Sequence, residues 1–119
     1  MSFISNYKDL LVWQRSMNLV ETVYKICLKL PDAEKRGLIS QMQRSAVSVP
    51  SNIAEGFGRQ ATGEYRHHLS ISRGSLLELE TQLLLSQRLG YICQADIDEL
   101  LSEITELSSM LASLISKLR

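Results

Sequence analysis

The run Gln41 to Gly56, QMQRSAVSVPSNIAEG, sets Pro50 inside a stretch whose apolar residues otherwise keep helical spacing. A proline there lacks its own amide donor and clashes with the carbonyl of Ala46, at a cost of ~3 kcal/mol in a regular helix interior. A chain tolerates that cost where packing holds the helix, so the segment predicts a helix docked against others and kinked at Pro50. Ser45, Ser48, Ser51 and Asn52 surround the proline with short side chains able to bond freed backbone carbonyls.

Apolar residues recur at three-four spacing along the rest of the chain, and aromatic residues are few, which predicts helices over strands. The first helix is expected from about Asp9 to Leu30, with Leu10, Trp13, Met17, Val20, Tyr24 and Cys27 on its core face, ending at Pro31. The second spans about Ala33 to Phe57 and is closed by Gly56, Gly58 and Gly63. Thr62 is placed to cap a third, whose seam reads Tyr65, Leu69, Ser72, Leu76, Leu79 and Leu83 and which stops at Gly90. The fourth runs from about Asp96 to Leu118, with Asp96 and Glu99 at capping-box spacing and a seam of Leu100, Ile104, Leu107, Leu111, Leu114 and Leu118.

Four helices of roughly 22 to 27 residues joined by short loops specify an all-α, up-down-up-down antiparallel bundle forming a single domain, residues 1–119. Leu77, Leu84 and Leu85 on the third helix, and Ile97, Leu101 and Ile115 on the fourth, lie off these seams. Apolar width in excess of one core stripe is what a bundle shows when its outside also meets a partner, so self-association is expected.

On the second helix the core face is Leu38, Met42, Ala46, Val49, Ile53 and Phe57. Gln41, Arg44, Ser45, Ser48, Asn52, Glu55 and Arg59 form a second face about 130° away. That stripe is poor in Lys and Glu for a solvated surface, which predicts partial burial and partners for its charges. Arg44, Asn52 and Glu55 are therefore expected in a structural polar network, with Glu80 the ion-pair partner of Arg44.

Lys plus Arg number 13 and Asp plus Glu 13, so the net charge is zero. The charge is segregated: residues 1–90 carry eleven basic and eight acidic side chains, residues 91–119 two and five. The amino terminus lacks the pattern of a signal peptide, and no apolar run approaches the ~20 residues of a membrane span, so a soluble cytoplasmic protein is expected. Cys27 and Cys93 are far apart in sequence and fit no metal-binding spacing; they read as reduced thiols near one pole of the bundle.

The blocks DLLVWQRSMNLV (Asp9 to Val20), QMQRSAVSVPSNIAEG and GSLLELETQLLLSQRLGY (Gly74 to Tyr91) resemble the 23S ribosomal RNA intervening-sequence protein family, from about Phe3 to Arg119. The resemblance implies a four-helix bundle that assembles into a homopentamer. It also implies relatedness in fold to the accessory protein of diversity-generating retroelements, a pentamer that engages a reverse transcriptase and nucleic acid. Zero net charge departs from the more basic nucleic-acid-binding relatives.

No chemistry of catalysis stands out. No phosphate-cradling glycine loop follows a strand, and His67 and His68 diverge by about 100° on one helix, where two ligands of a single metal sit three or four residues apart. A non-catalytic protein without metal or cofactor is expected. Antiparallel topology gathers Lys8, Arg15, Arg59, Arg66, His67, His68, Lys117 and Arg119 at one pole, with Arg73 below Arg66. Two functional readings stay open: a ring that binds RNA or DNA phosphates through Arg15, Arg59, Arg66 and His67, and a protein-interaction scaffold or accessory subunit that does not touch nucleic acid.

Overall fold

The computed structural model describes residues 4–118. Phe3, where the resemblance begins, and Arg119, assigned to the basic pole, lie outside the described residues. Four helices are present: α1 (Leu11–Cys27), α2 (Leu38–Phe57), α3 (Thr62–Arg88) and α4 (Gln94–Lys117), with no strand among the described residues. Each helix contacts its sequence neighbours, and α1 closes on α4, which is the expected antiparallel bundle. Its long dimension is 48 Å, and all four helices share one core.

The helix ends are set by local chemistry, and several differ from expectation. The chain enters through a 3-10 turn, Tyr7–Asp9, capped by Asn6, whose side chain accepts from the Lys8 amide at 3.0 Å. Leu10 is then extended, so α1 starts at Leu11 and Asp9 is outside it. At the other end, amides of Leu28, Lys29 and Leu30 bond carbonyls three residues back, and the α-helix is over before Pro31. Residues 33–37, expected in the second helix, form the rest of a 3-10 helix and a hydrogen-bonded turn instead. There Glu34 Oε1 accepts from the Leu38 amide at 3.1 Å, and a Cβ at Gly37 would come within 2.6 Å of that oxygen, so a larger residue would have to displace this cap.

α2 carries the buried Pro50 in its interior without interruption of the helix. Thr62 is the first residue of α3 and not its cap; that position is Ala61, which has no side chain to offer. α3 ends in a Schellman turn: Gly90 has φ +84°, and the Gly90 and Tyr91 amides reach the carbonyls of Gln87 and Ser86. The capping box of α4 lies three residues upstream of its expected place. Cys93 is the N-cap, and Asp96, three residues in, accepts from the Cys93 amide at 2.9 Å. Lys29 pairs with Asp96, and Tyr91 donates to Glu34 at 3.0 Å, so the α1–α2 and α3–α4 connections are tied at one pole. Both cysteines belong to this pole and are free thiols, Cys27 buried and Cys93 exposed.

The core seams of α2 and α3 follow the sequence pattern, with Phe57 and Tyr65 half-buried at the rim. α1 is rotated. Its buried row is Val12, Ser16, Leu19, Val23 and Ile26; of the expected row Leu10 and Cys27 are buried at the two ends, whereas Met17 and Tyr24 are 40% and 44% exposed. Two apolar rows lie side by side on this helix; the slim aliphatic row fills the centre, and the row bearing Trp13 and Tyr24, whose polar atoms need partners or water, goes to the α2 side. Ile97, expected outside the α4 seam, is fully buried.

Candidate functional site

The polar stripe of α2 packs against α3, and glycine sets how closely. A Cβ on Gly56 would lie 2.7 Å from the His68 Cβ, so the backbone of α2 can approach α3 there only without a side chain. Along the seam, Ser75 Oγ donates to Ser48 Oγ at 2.8 Å and Ser72 Oγ to the Val49 carbonyl at 2.9 Å. Asn52 Nδ2 donates to both the carbonyl and the Oγ of Ser48, each at 3.0 Å. That pins the amide, and Asn52 Oδ1 faces His68 Nδ1 at 3.0 Å. His68 Nε2 stands 3.6 Å from Glu55, which Arg59 holds at 2.7 Å.

Asn52 and Glu55 are thus brought together, as expected, but Arg44 and Glu80 are not part of the network. Arg44 is exposed and makes no ion pair, and Glu80 is half-buried without one. The reason is angular: Ser75 faces α2, and five further residues carry Glu80 about 140° round α3, onto the flank toward α4. His68 takes the place given to Arg44. A signal for this seam existed in sequence, because Ser72 and Ser75 on α3 match the serines of α2 in kind and spacing. In the network Ser72 and Ser75 donate to a carbonyl and a hydroxyl, Ser48 Oγ accepts from Ser75 and Asn52, and neither His68 nitrogen faces a serine, so the arrangement joins helices and pairs no hydroxyl with a base.

The four residues assigned to phosphate binding divide into two pairs. Arg15 lies on the α4 side of α1, where it grips Glu103 through Nε (3.0 Å) and Nη2, reaches Glu106 at 3.0 Å and touches the Met110 sulfur. The hydrogen bonds to Glu103, then those to Glu106, raise its pKa above the ordinary value. Arg59 is held by Glu55 and more loosely by Glu64 at 3.7 Å; its hydrogen bond to Glu55 raises the guanidinium pKa and lowers that of the carboxylate. Both arginines are therefore neutralised within the chain. Arg66 is different, since its Nη1 donates to the Leu118 carbonyl at 2.8 Å and it meets no carboxylate among the described residues. His67 is exposed, its ring edge-on to His68 at 5.8 Å.

Two turns below Arg66, Arg73 donates to Ser108 Oγ at 3.2 Å and likewise meets no carboxylate. Both line a groove of about 630 Å³ between α3 and α4, whose floor includes Leu77, Ala112 and Ile115. Among the described residues no group of three or more His, Cys, Asp or Glu could hold a metal ion, and no helix is long and apolar enough to cross a membrane.

Among the described residues several apolar surfaces remain open, a groove of about 440 Å³ between α1 and α4 lined by Leu10, Leu11, Val12, Met110 and Leu114 among them. A groove of about 360 Å³ between α1 and α2 is lined by Tyr7, Trp13, Met17, Val20, Val47, Pro50 and Ala54. Away from it, α3 exposes Leu77, Leu84 and Leu85, at 53%, 41% and 45%. Pro50 thus has a second role beyond the helix interior, as part of a groove wall.

Residues 8–113 match the family model described as 23S rRNA-intervening sequence protein. A solved structure is similar in fold, with a TM-score of 0.79 at 24% identity, covering 88% of this chain and 98% of that one. It is described as a protein with unknown function from the S23 ribosomal protein family of Bacteroides thetaiotaomicron VPI-5482. No curated protein matches the chain.

Proposed function

Since this chain belongs to the 23S rRNA-intervening sequence protein family, we propose that it is a non-catalytic cytoplasmic assembly module whose subunits join head to tail in a closed ring, five being the number the family resemblance implies. The observation that carries this reading is the presence of two unlike apolar surfaces, the α1–α2 groove and the leucines of α3, on different sides of one bundle. A two-fold dimer pairs a surface with itself and leaves the other wet, whereas a head-to-tail contact covers both in every subunit. Light scattering at micromolar concentration is expected to return five times the 13.4 kDa subunit mass; a monomer mass overturns the reading.

A second reading, sequence-tolerant binding of RNA or DNA phosphates, is favoured by Arg66, which meets no side-chain carboxylate among the described residues, and by the exposed His67 beside it. Repetition round a ring would multiply this small positive field, and without interleaved aromatic side chains it would hold backbones and not read bases. Arg15 and Arg59 no longer belong to it, being spent on glutamates. In a filter-binding titration over a salt series, Arg66→Glu with His67→Glu should abolish binding and Arg15→Gln should not. Parent binding that is absent or indifferent to salt leaves a ring serving as scaffold or accessory subunit for a protein partner.

A further inference from the structure

Gly74 lies in the interior of α3, is exposed, and has nothing within 4 Å of an added Cβ. A glycine weakens a helix interior, and here no neighbour in the chain requires it, in contrast to Gly56. The missing side chain leaves room for a close approach from outside. Leu77 and Leu84 lie below it toward α4, so the outward ridge of α3 is smooth at Gly74 and apolar beneath.

Charge gives the approach a partner and a register. The ridge is flanked by Arg73 on the side toward α4 and Glu78 on the side toward α2. The α1–α2 groove is flanked by Glu21 on α1 and Arg44 on α2. All four are exposed, and none forms an ion pair among the described residues. Their heights correspond. The Ser72–Val49 and Ser75–Ser48 hydrogen bonds set Arg73 level with the middle of α2, and the groove sets that part of α2 beside Met17 and Val20, next to Glu21. Glu78, about 7.5 Å further down α3, comes level with Arg44 in the same way.

We propose that the α3 ridge of one subunit seats in the α1–α2 groove of the next, with Arg73 against Glu21 and Glu78 against Arg44. The inference rests on the ring reading and assigns the two surfaces to each other. A rotation about an axis parallel to the bundle preserves height, and it brings the α4 flank of the incoming α3 to the α1 side of the groove. Both pairs then have opposite sign. α3 is a corner of the bundle, so each subunit is inclined to the one before it, and a pure rotation with no shift along the axis closes the contacts into the ring on which the inference rests.

The test uses the full chain with Arg44→Glu, Glu78→Arg, the double variant, and Gly74→Leu, followed by sedimentation at micromolar concentration with circular dichroism as a check on folding. Each single charge reversal should weaken assembly at least tenfold, the double variant should recover it, and Gly74→Leu should keep its helix content yet fail to assemble. A monomeric parent sinks the ring reading itself. An assembled parent whose single variants assemble equally well, or whose double variant does not recover, leaves the ring standing and refutes this interface.

Discussion

Gly56 and Gly74 both occupy helices, yet substitution should act on them in opposite places. At Gly56 an alanine meets the His68 Cβ and Tyr65, neither of which can swing away, so Gly56→Ala is expected to destabilise the folded chain by about 1–3 kcal/mol in urea denaturation. At Gly74 the single chain has room, so a larger residue should strengthen α3 itself while obstructing the proposed contact between subunits. Arg44 shows how far residue types could be read. A stripe poor in solvated charges predicted partial burial and an ion pair with Glu80, but Arg44 is exposed and forms no ion pair among the described residues. Arg44→Ala, read from the sequence as the loss of a buried ion pair, should change the stability of the dissociated subunit by less than about 0.5 kcal/mol, because the side chain is exposed and unpaired. His68 escaped notice as a network member because its partner Asn52 is distant in sequence and its neighbour His67 points elsewhere.

Helix ends and faces are the features on which an element depends. Asp96 serves α4 twice, accepting the Cys93 amide inside the capping box and pairing with Lys29 from the α1 end; its side chain is 19% exposed. The Lys29 hydrogen bond, then those from Cys93, lower its pKa from 3.8 to about 2. A folded-state pKa below the unfolded one means stability that is fully present above about pH 4 and is lost as the pH falls toward 2. Asp96→Asn should therefore be less stable than the parent at pH 7 and equal to it near pH 2, measured as urea midpoints across that range. The rotation of α1 has its own test in the dissociated subunit. Leu19→Ala, at a site 2% exposed, should cost about 2–5 kcal/mol. Met17→Ala, on the open groove, should cost less than about 1 kcal/mol on the same scale.

At the scale of the whole molecule, an assembly that buries the α1–α2 groove ties stability to concentration. The parent's melting temperature should rise with protein concentration, and Arg44→Glu should shift that rise to at least tenfold higher concentration; a parent whose melting temperature is constant over a hundredfold range would contradict the ring. The four helices, their antiparallel order, the seams of α2, α3 and most of α4, and the family itself were legible in the sequence. Each of these follows from periodicity within one helix, from breakers between helices, or from a contiguous block of residues. The tertiary structure alone decided which of two adjacent apolar rows on α1 turned inward, and that Arg15 would meet Glu103 and His68 would meet Asn52. Those outcomes depend on how each helix is rotated about its own axis and at what height it meets its neighbour. A repeat of about 100° per residue is unchanged by rotation or sliding of the whole helix, so it carries no information on either.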